Sequence, residues 1–362
     1  MSQLITIANK RYPLLDLLNK RSMWNKFNDY DQQALQYLHG WVNDQQVFSI
    51  MTSGSTGKPK YLKLSRERIT ESAERTIRYF NLSSKDVALI CIDIKYIGGV
   101  MMLFRCMLSR MDIIVTTPDN EPLSRISDGV RPTFLAIVPL QLQNILNQSA
   151  SKKLTNIKAI IVGGAPINAG LKKQCSDSEL PIYHTFGMTE TVSHIALCKL
   201  NYAGDHIFEV LPGVQIKCDA QDRLIIKSDS TNSRWITTND VVEIVNDNHF
   251  KWSGRLDNVI NSGGVKIHPE SIEPEISDHL LRTGLQGRVF VSGVPDLKYG
   301  IKAILMYEGK LDTNQKTDLV KKLKKLLPRY HNPKEVWCIE KFLETGTGKI
   351  KRQETLENYL NK

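Results

Sequence analysis

The stretch Thr52-Ser53-Gly54-Ser55-Thr56-Gly57-Lys58-Pro59-Lys60 decides how the rest of this chain is read. It holds four hydroxyls, two glycines and two lysines, and no acid. Glycines permit close backbone approach and positive φ. Hydroxyls and backbone N–H groups wrap an oxyanion while lysines balance its charge. The pattern is that of a phosphate cradle, and ATP is the first ligand it brings forward. The competing reading is a polar Gly/Ser linker; the strand-like run Val47-Phe48-Ser49-Ile50-Met51 just before it argues against that. The cradle is not a Walker A loop, because Gly54 and Gly57 stand too close together and Pro59 follows Lys58 where Ser or Thr is required. The alternation Tyr61-Leu62-Lys63-Leu64 predicts a second strand, which makes the loop a mobile flap between two strands. A helix is expected to follow, with Ser65 as N-cap and Ile69, Ala73, Ile77 and Phe80 on one face.

At 362 residues the chain is long enough for two or three domains. Its six cysteines form no C-x-x-C pair and sit among mostly apolar neighbours, which points to reduced thiols in a cytoplasmic protein. No His or Cys shows the spacing of a zinc site. Lys10, Arg11, Lys20 and Arg21 interrupt the N-terminal region, so it does not read as a signal peptide. Asp93 and Lys95 break the longest apolar stretch, Val87 to Phe104, into a strand, a turn and a helix instead of a membrane span. The net charge is +10, spread along the chain. The pairs Lys321-Lys322 and Lys324-Lys325 fall in a helical pattern with Leu319, Leu323 and Leu326, a solvated face. A small anionic substrate, a nucleotide or coenzyme A suits this charge. Nucleic-acid binding is disfavoured, since no recognition motif with interleaved aromatics is present.

Apolar runs at 87–92, 113–115, 133–138 and 157–162 alternate with helical patterns around 100–108 and 142–146. That grammar predicts a largely parallel α/β sheet, with ligands beyond the carboxyl ends of its strands. Gly163-Gly164-Ala165-Pro166 and His184-Thr185-Phe186-Gly187 both follow strand-like runs, so both are expected to line that crevice. From Ile207 the pattern changes to short strands and turns, with hairpins expected across 219–222 and 246–248. Past Gly254 a compact α+β segment begins, with strands near 289–291 and 301–306, and a domain boundary is expected at Arg255 to Asn258. The fold class is α/β: a large N-terminal domain, 1–254, with mostly parallel sheets flanked by helices plus a small β-rich part; a hinge, 255–258; and a small mobile α+β C-terminal domain, 259–362.

Five later segments lack an obvious structural reason. Phe186-Gly187-Met188-Thr189-Glu190 joins an aromatic, a flexible glycine, a hydroxyl and a carboxylate able to hold Mg²⁺ beside phosphates. Thr238-Asn239-Asp240 ends in an acid suited to a ribose diol. Trp252 to Asp257 offers a cation and an acid, Ser262-Gly263-Gly264-Val265-Lys266 a basic loop, and Thr345-Gly346-Thr347-Gly348-Lys349 a lysine on a glycine-rich turn. Each alone reads equally well as a turn or a surface ion pair. In this order and spacing the set resembles the adenylate-forming superfamily of acyl-CoA synthetases, luciferases and peptide-synthetase adenylation domains, from about Val47 to the C-terminus. Within it, Tyr96-Ile97-Gly98-Gly99 with Arg105, Gly163 to Pro166, Gly187 to His194 and Asp257 to Gly264 resemble the o-succinylbenzoate–CoA ligase branch.

The resemblance implies two half-reactions: a substrate carboxylate attacks the α-phosphate of ATP, and the thiol of coenzyme A then displaces AMP. It implies that Thr52, Ser53, Ser55, Thr56 and Lys60 hold the β- and γ-phosphates and that Glu190 holds Mg²⁺. Thr189 and Lys349 would bridge the α-phosphate and the attacking carboxylate. Gly164, Ala165, Pro166, Phe186 and Gly187 would flank adenine, and Asp240 and Arg255 would hold the ribose. The small domain would turn about Asp257, bringing Gly263, Gly264 and Lys266 to coenzyme A. Tyr96, Gly99, Arg105, Ser193 and His194, with Lys95, are candidates for binding the acid, whose second carboxylate needs recognition. Arg105 reads equally well as a salt-bridged surface residue and His194 as a structural histidine.

Two departures stand out. The superfamily carries a much longer segment before its phosphate loop than residues 1–51 here, which implies a trimmed or missing N-terminal subdomain and leaves the outer wall of the acyl pocket in doubt. The usual Thr-Gly-Asp is Thr238-Asn239-Asp240. The alternatives are a coenzyme A ligase for another aromatic or aliphatic acid and a nucleotide-binding sensor with a dead site. Retention of Glu190, Asp240, Arg255 and Lys349 together argues against the second.

Overall fold

The computed structural model describes residues 2–52, 60–147, 149–201, 206–345 and 349–361. At the N-terminus β1 (Leu4–Ile7) and β2 (Lys10–Pro13) form a hairpin whose turn, Ala8-Asn9, has positive φ at both residues, the turn geometry that matches strand twist. Helices α1 (Leu14–Asn19) and α2 (Asp29–Val42) follow. Asn28 caps α2 by accepting the Asp31 N–H. Then β3 (Val47–Thr52) and β4 (Lys60–Ser65) pair antiparallel with Thr52 opposite Lys60, so the phosphate-cradle loop does join two strands. Ser65 caps α3 (Arg66–Phe80), and Ile69, Ala73 and Phe80 are buried on its inner face with Ile77 packed at the edge.

The parallel region comes next: β5 (Val87–Ile90), α4 (Ile97–Ser109), β6 (Asp112–Val115), β7 (Phe134–Ile137), α5 (Pro139–Asn147), β8 (Ala159–Val162), α6 (Ala169–Ser176) and β9 (Ile182–Met188). Strands β1-β6-β5-β7-β8-β9 lie side by side and parallel. Every residue of β7 and β8 is buried, as a sheet covered on both faces requires. β10 (Ser193–Lys199), β11 (Phe208–Val210), β12 (Gln215–Cys218), β13 (Arg223–Lys227), β14 (Ile236–Asn246) and β15 (His249–Arg255) are antiparallel. The expected hairpins at 219–222 and 246–248 are present. They do not make a separate unit, however. They continue the same 13-stranded sheet beyond β9, because β9 still offers an unpaired edge that β10 fills by turning straight back.

After Arg255 the chain builds the hairpin β16 (Ile260–Ser262) and β17 (Val265–Ile267), the helix α7 (Pro269–Arg282), and a three-stranded sheet of β18 (Val289–Asp296), β19 (Gly300–Glu308) and β20 (Glu335–Ile339). Helices α8 (Thr313–Leu326) and α9 (Arg352–Leu360) complete it. Three clusters of buried apolar side chains draw only on residues up to Trp252, and the other two only on Ile260 onward. Among the described residues no helix is long and apolar enough to cross a membrane.

Candidate active site

The stem of the β3–β4 hairpin stands where β5 ends. Met51 N–H donates to the Lys95 carbonyl at 3.2 Å, and Met51 bridges Tyr96. Thr52 Oγ1 donates to the Lys60 carbonyl at 3.2 Å. The half-buried Thr52 and exposed Lys60 and Lys95 thus flank the N-terminus of α4. Gly99 is required there by crowding: a Cβ would lie 2.5 Å from the Asp93 carbonyl oxygen and 2.9 Å from the Ile94 Cα. Ser53, Ser55 and Thr56 lie outside the described residues, as do Gly346 to Gly348 beside Lys349.

Beyond β8, Gly164 has φ +84° and is exposed with Pro166, while Ala165 is half-buried. On the next strand Thr185 Oγ1 donates to the Val162 carbonyl at 3.1 Å. Phe186 is half-buried with its ring edge-on to Phe208 and Phe250. Gly187 follows close packing and not flexibility, since a Cβ would fall 2.3 Å from the Ser193 carbonyl oxygen across the β9–β10 pair.

The turn between those strands carries Thr189, buried, and Glu190, exposed. It is held in a strained shape: Val192 has φ +55° and Ser193 φ +82°, conformations that cost a β-branched residue dearly. Neighbours over-determine it. Ser72 Oγ donates to the Val192 carbonyl, Ser230 Oγ to the Thr191 carbonyl at 3.0 Å, and Arg68 Nη2 to the Glu190 carbonyl at 2.7 Å. Arg68 Nε also ties in Ser230 at 2.6 Å. Sequence reading missed Arg68, Ser72 and Ser230, which lie on α3 and in the 229–231 turn and carry no motif.

Glu190 brings one exposed carboxylate, within electrostatic reach of Arg68, with the Thr189 hydroxyl adjacent. Among the described residues no group of three or more His, Cys, Asp or Glu could hold a metal ion. That donor set fits a Mg²⁺ taken mostly by phosphate and water with one protein carboxylate, and does not fit an all-protein cage.

Asp240 pairs with Arg255 in the β14–β15 register. Trp252 Nε1 donates to Asp240 Oδ1 at 3.0 Å, and the Asp240 N–H is taken by Thr238 Oγ1 at 3.0 Å. Burial raises the Asp240 pKa; the Trp252 bond, Arg255 and Lys349 work against that rise, and Glu270 adds to it. Water reaches the Lys349 side chain. Protein nonetheless surrounds it closely enough that burial, first, and the Arg255 charge, second, lower its pKa, with Asp240 opposing. A lysine near the end of the chain therefore comes within electrostatic reach of Asp240 and Arg255. Gly263 and Gly264, both at positive φ, form the β16–β17 turn, and Lys266 is exposed beside it. Among the described residues no hydrogen bond or ion pair joins these three to Asp240, Arg255 or Lys349.

Among the described residues the largest fully buried side chain is that of Arg105 on α4. It is not a surface residue: its exposure is 0 %. Nη2 donates to Ser193 Oγ at 3.1 Å, while Nε and Nη1 are buried without a hydrogen-bond partner among the described residues. Burial pushes its pKa down to about 10, which leaves it charged at neutral pH. Beside it His194 Nε2 lies 3.1 Å from Thr76 Oγ1. Burial, then Arg105 and Arg75, hold the His194 pKa well below the ordinary histidine range, so the ring is neutral. Arg105, Ser193 and His194 are thus one cluster, brought together because α4 packs against β10. A buried guanidinium without a carboxylate is costly, and no ion pair joins Arg105 to a carboxylate among the described residues.

A large sheet flanked by helices, joined to a small α+β unit, is the fold of the adenylate-forming enzymes. The o-succinylbenzoate CoA synthetase of Bacillus subtilis, solved with its acyl-adenylate intermediate, aligns with a TM-score of 0.71 over 84% of this chain and 68% of its own, at 20% identity. The acyl-CoA synthetase (AMP-forming)/AMP-acid ligase II-like protein of Dyadobacter fermentans is 36% identical, over 92% of this chain and 95% of that one, with a TM-score of 0.60. The AMP-binding enzyme family matches residues 8–223, and the chain belongs to that family. Among curated relatives, the 2-succinylbenzoate–CoA ligase of Listeria monocytogenes serotype 4b is 25% identical over 354 residues, 91% of this chain and 73% of that protein. Its counterpart in Staphylococcus epidermidis is 26% identical over 92% of this chain and 75% of that protein.

Proposed function

We propose that the protein is an ATP-dependent acid–CoA ligase working through an acyl-adenylate in the cytoplasm, and that its acid is o-succinylbenzoate, on the route to menaquinone. The observation that carries the choice of acid is Arg105, charged, buried and short of two hydrogen-bond partners. A dianionic acid has one carboxylate to activate and a second to bury against this group, with Ser193 and neutral His194 beside it. The ligase reading draws on the family membership, on the names of the relatives, and on Lys349 lying within electrostatic reach of Asp240 and Arg255.

In the first half-reaction an oxygen of the substrate carboxylate attacks the α-phosphorus, and the bond from that phosphorus to the bridging oxygen breaks, releasing pyrophosphate. Little proton transfer is needed; alignment and charge neutralisation carry the barrier. Lys349 and Thr189 supply donors to the α-phosphate and the attacking oxygen. Thr52, Ser53, Ser55, Thr56 and Lys60 hold the departing phosphates, and Asp240 and Arg255 hold the ribose. Glu190 would hold Mg²⁺, which would supply charge neutralisation at the phosphates. In the second half-reaction the coenzyme A thiol loses its proton, its sulfur attacks the acyl carbonyl, and AMP leaves on its phosphate oxygen. Residues 1–254 and 259–362 act as two bodies joined through 255–258, with Gly263, Gly264 and Lys266 serving coenzyme A.

The test is CoA-dependent AMP formation with o-succinylbenzoate beside benzoate and medium-chain acids. Activity confined to the other acids overturns the choice of acid. Absence of pyrophosphate release with every acid overturns the ligase reading.

A further inference from the structure

The turn that links the two sets of buried clusters, Leu256–Asn258, is fastened on both sides. Asp257 receives three N–H contacts: Asn239 Nδ2 reaches Oδ1 at 3.1 Å and Oδ2 at 3.2 Å, and Arg255 Nη2 reaches Oδ2 at 2.8 Å. The next residue, Asn258, donates to Glu270 Oε1 on α7. Glu270 in turn packs against Gly254, where a Cβ would lie 2.6 Å from Oε2. One short turn is thereby tied to β14 through Asp257 and to α7 through Asn258.

The two donors to Asp257 differ in kind. Arg255 stands two residues away in the same segment and moves with the turn. Asn239 belongs to another strand, next to Asp240, so its bond holds only while the turn keeps this orientation. A glycine at this position has no side chain with which to make it. We propose that Asn239 is a latch: it fastens the linking turn to the large sheet and so holds residues 259–362 in the orientation seen here relative to that sheet. The proposal rests on the ligase reading only for what the latch does to the reaction, namely that it favours adenylate formation over the step that follows. Asn239 and Asp257 are both exposed, so the bias is modest, about three- to tenfold in population.

Trypsin reads the latch directly, because Arg255 precedes the turn. With Asn239→Gly, cleavage after Arg255 is expected to speed up about fivefold at an unchanged melting temperature. Asn239→Asp, which sets a carboxylate against Asp257, is expected to speed it further. ATP–pyrophosphate exchange is expected to fall by a similar factor, while thiolysis of a supplied acyl-adenylate holds or rises. Unchanged cleavage in both variants overturns the latch. So does a lowered melting temperature with equal loss of both half-reactions, the signature of a residue that only supports the fold. If the wild type gives no exchange with any acid, the ligase reading fails and the cleavage rates still decide the latch.

Discussion

Replacing Arg105 with Met is expected to stabilise the protein and to remove its use of a dianionic acid. The depressed proton affinity of the guanidinium corresponds to about 3 kcal/mol of disfavoured charge. Met fills similar space without a charge. It forfeits the bond to Ser193 Oγ, worth about 1 kcal/mol. The net gain is about 2 kcal/mol, or a rise in Tm of roughly 4 °C. Against that, a buried carboxylate left without its cation costs about 3–4 kcal/mol, so kcat/KM for o-succinylbenzoate is expected to fall about 100- to 1,000-fold. A monoacid that leaves the Arg105 site empty should lose little. Denaturant midpoints and pyrophosphate exchange on the two acids make the comparison. A variant that melts lower and loses both acids equally would refute the reasoning, since Arg105 would then be a structural residue.

Lys349→Ala is expected to abolish adenylate formation while leaving thiolysis of a supplied adenylate largely intact; equal loss of both half-reactions in single-turnover assays would count against its role. Arg68→Ala removes the donors to the Glu190 and Ser230 carbonyls and should cost about 2–3 kcal/mol in denaturant unfolding, together with a raised Mg²⁺ requirement if the Glu190 turn loosens. His194 is buried and His184 half-buried; desolvation keeps both neutral, with His184 held at about 3. Unfolding below the ordinary value of about 6.5 lets each take up a proton, so their effect is absent above that pH and costs stability as pH falls below it, for His184 down to about 3. His184 should contribute about 2 kcal/mol of loss between pH 7 and pH 5, with His194 acting in the same direction, and urea titrations of His184→Gln should show a shallower acid limb than the wild type.

Much of the local structure around the candidate site was legible because it is set by neighbouring residues. A cradle of hydroxyls, glycines and lysines between two alternating runs predicts a strand, a loop and a strand, and β3 and β4 are there with Thr52 opposite Lys60. The cap at Ser65 and the inner face of α3 follow from one residue type and a 3.6-residue period. Other features left no local trace. β1 pairs with β6 across more than a hundred residues, and nothing in Leu4–Ile7 names its partner. The supports of the Glu190 turn, Arg68, Ser72 and Ser230, are ordinary polar residues until α3 and the 229–231 turn bring them to the carbonyls of 190–192. Asn239 was noticed only as a departure from a pattern; its bond to Asp257 depends on the bend of the chain after β15.

By itself the sequence determined the kinds of element, their order, and the residue types able to grip phosphate, ribose and a metal, because propensity, period and functional-group chemistry act over a few residues. Tertiary structure alone decided which of them meet. It set Arg105 at 0 % exposure with two nitrogens unpaired, where a helical pattern read equally well as a surface position. It also brought Lys349 within electrostatic reach of Asp240 and Arg255. Burial and proximity depend on how distant segments pack, and a linear pattern of residues does not record that packing.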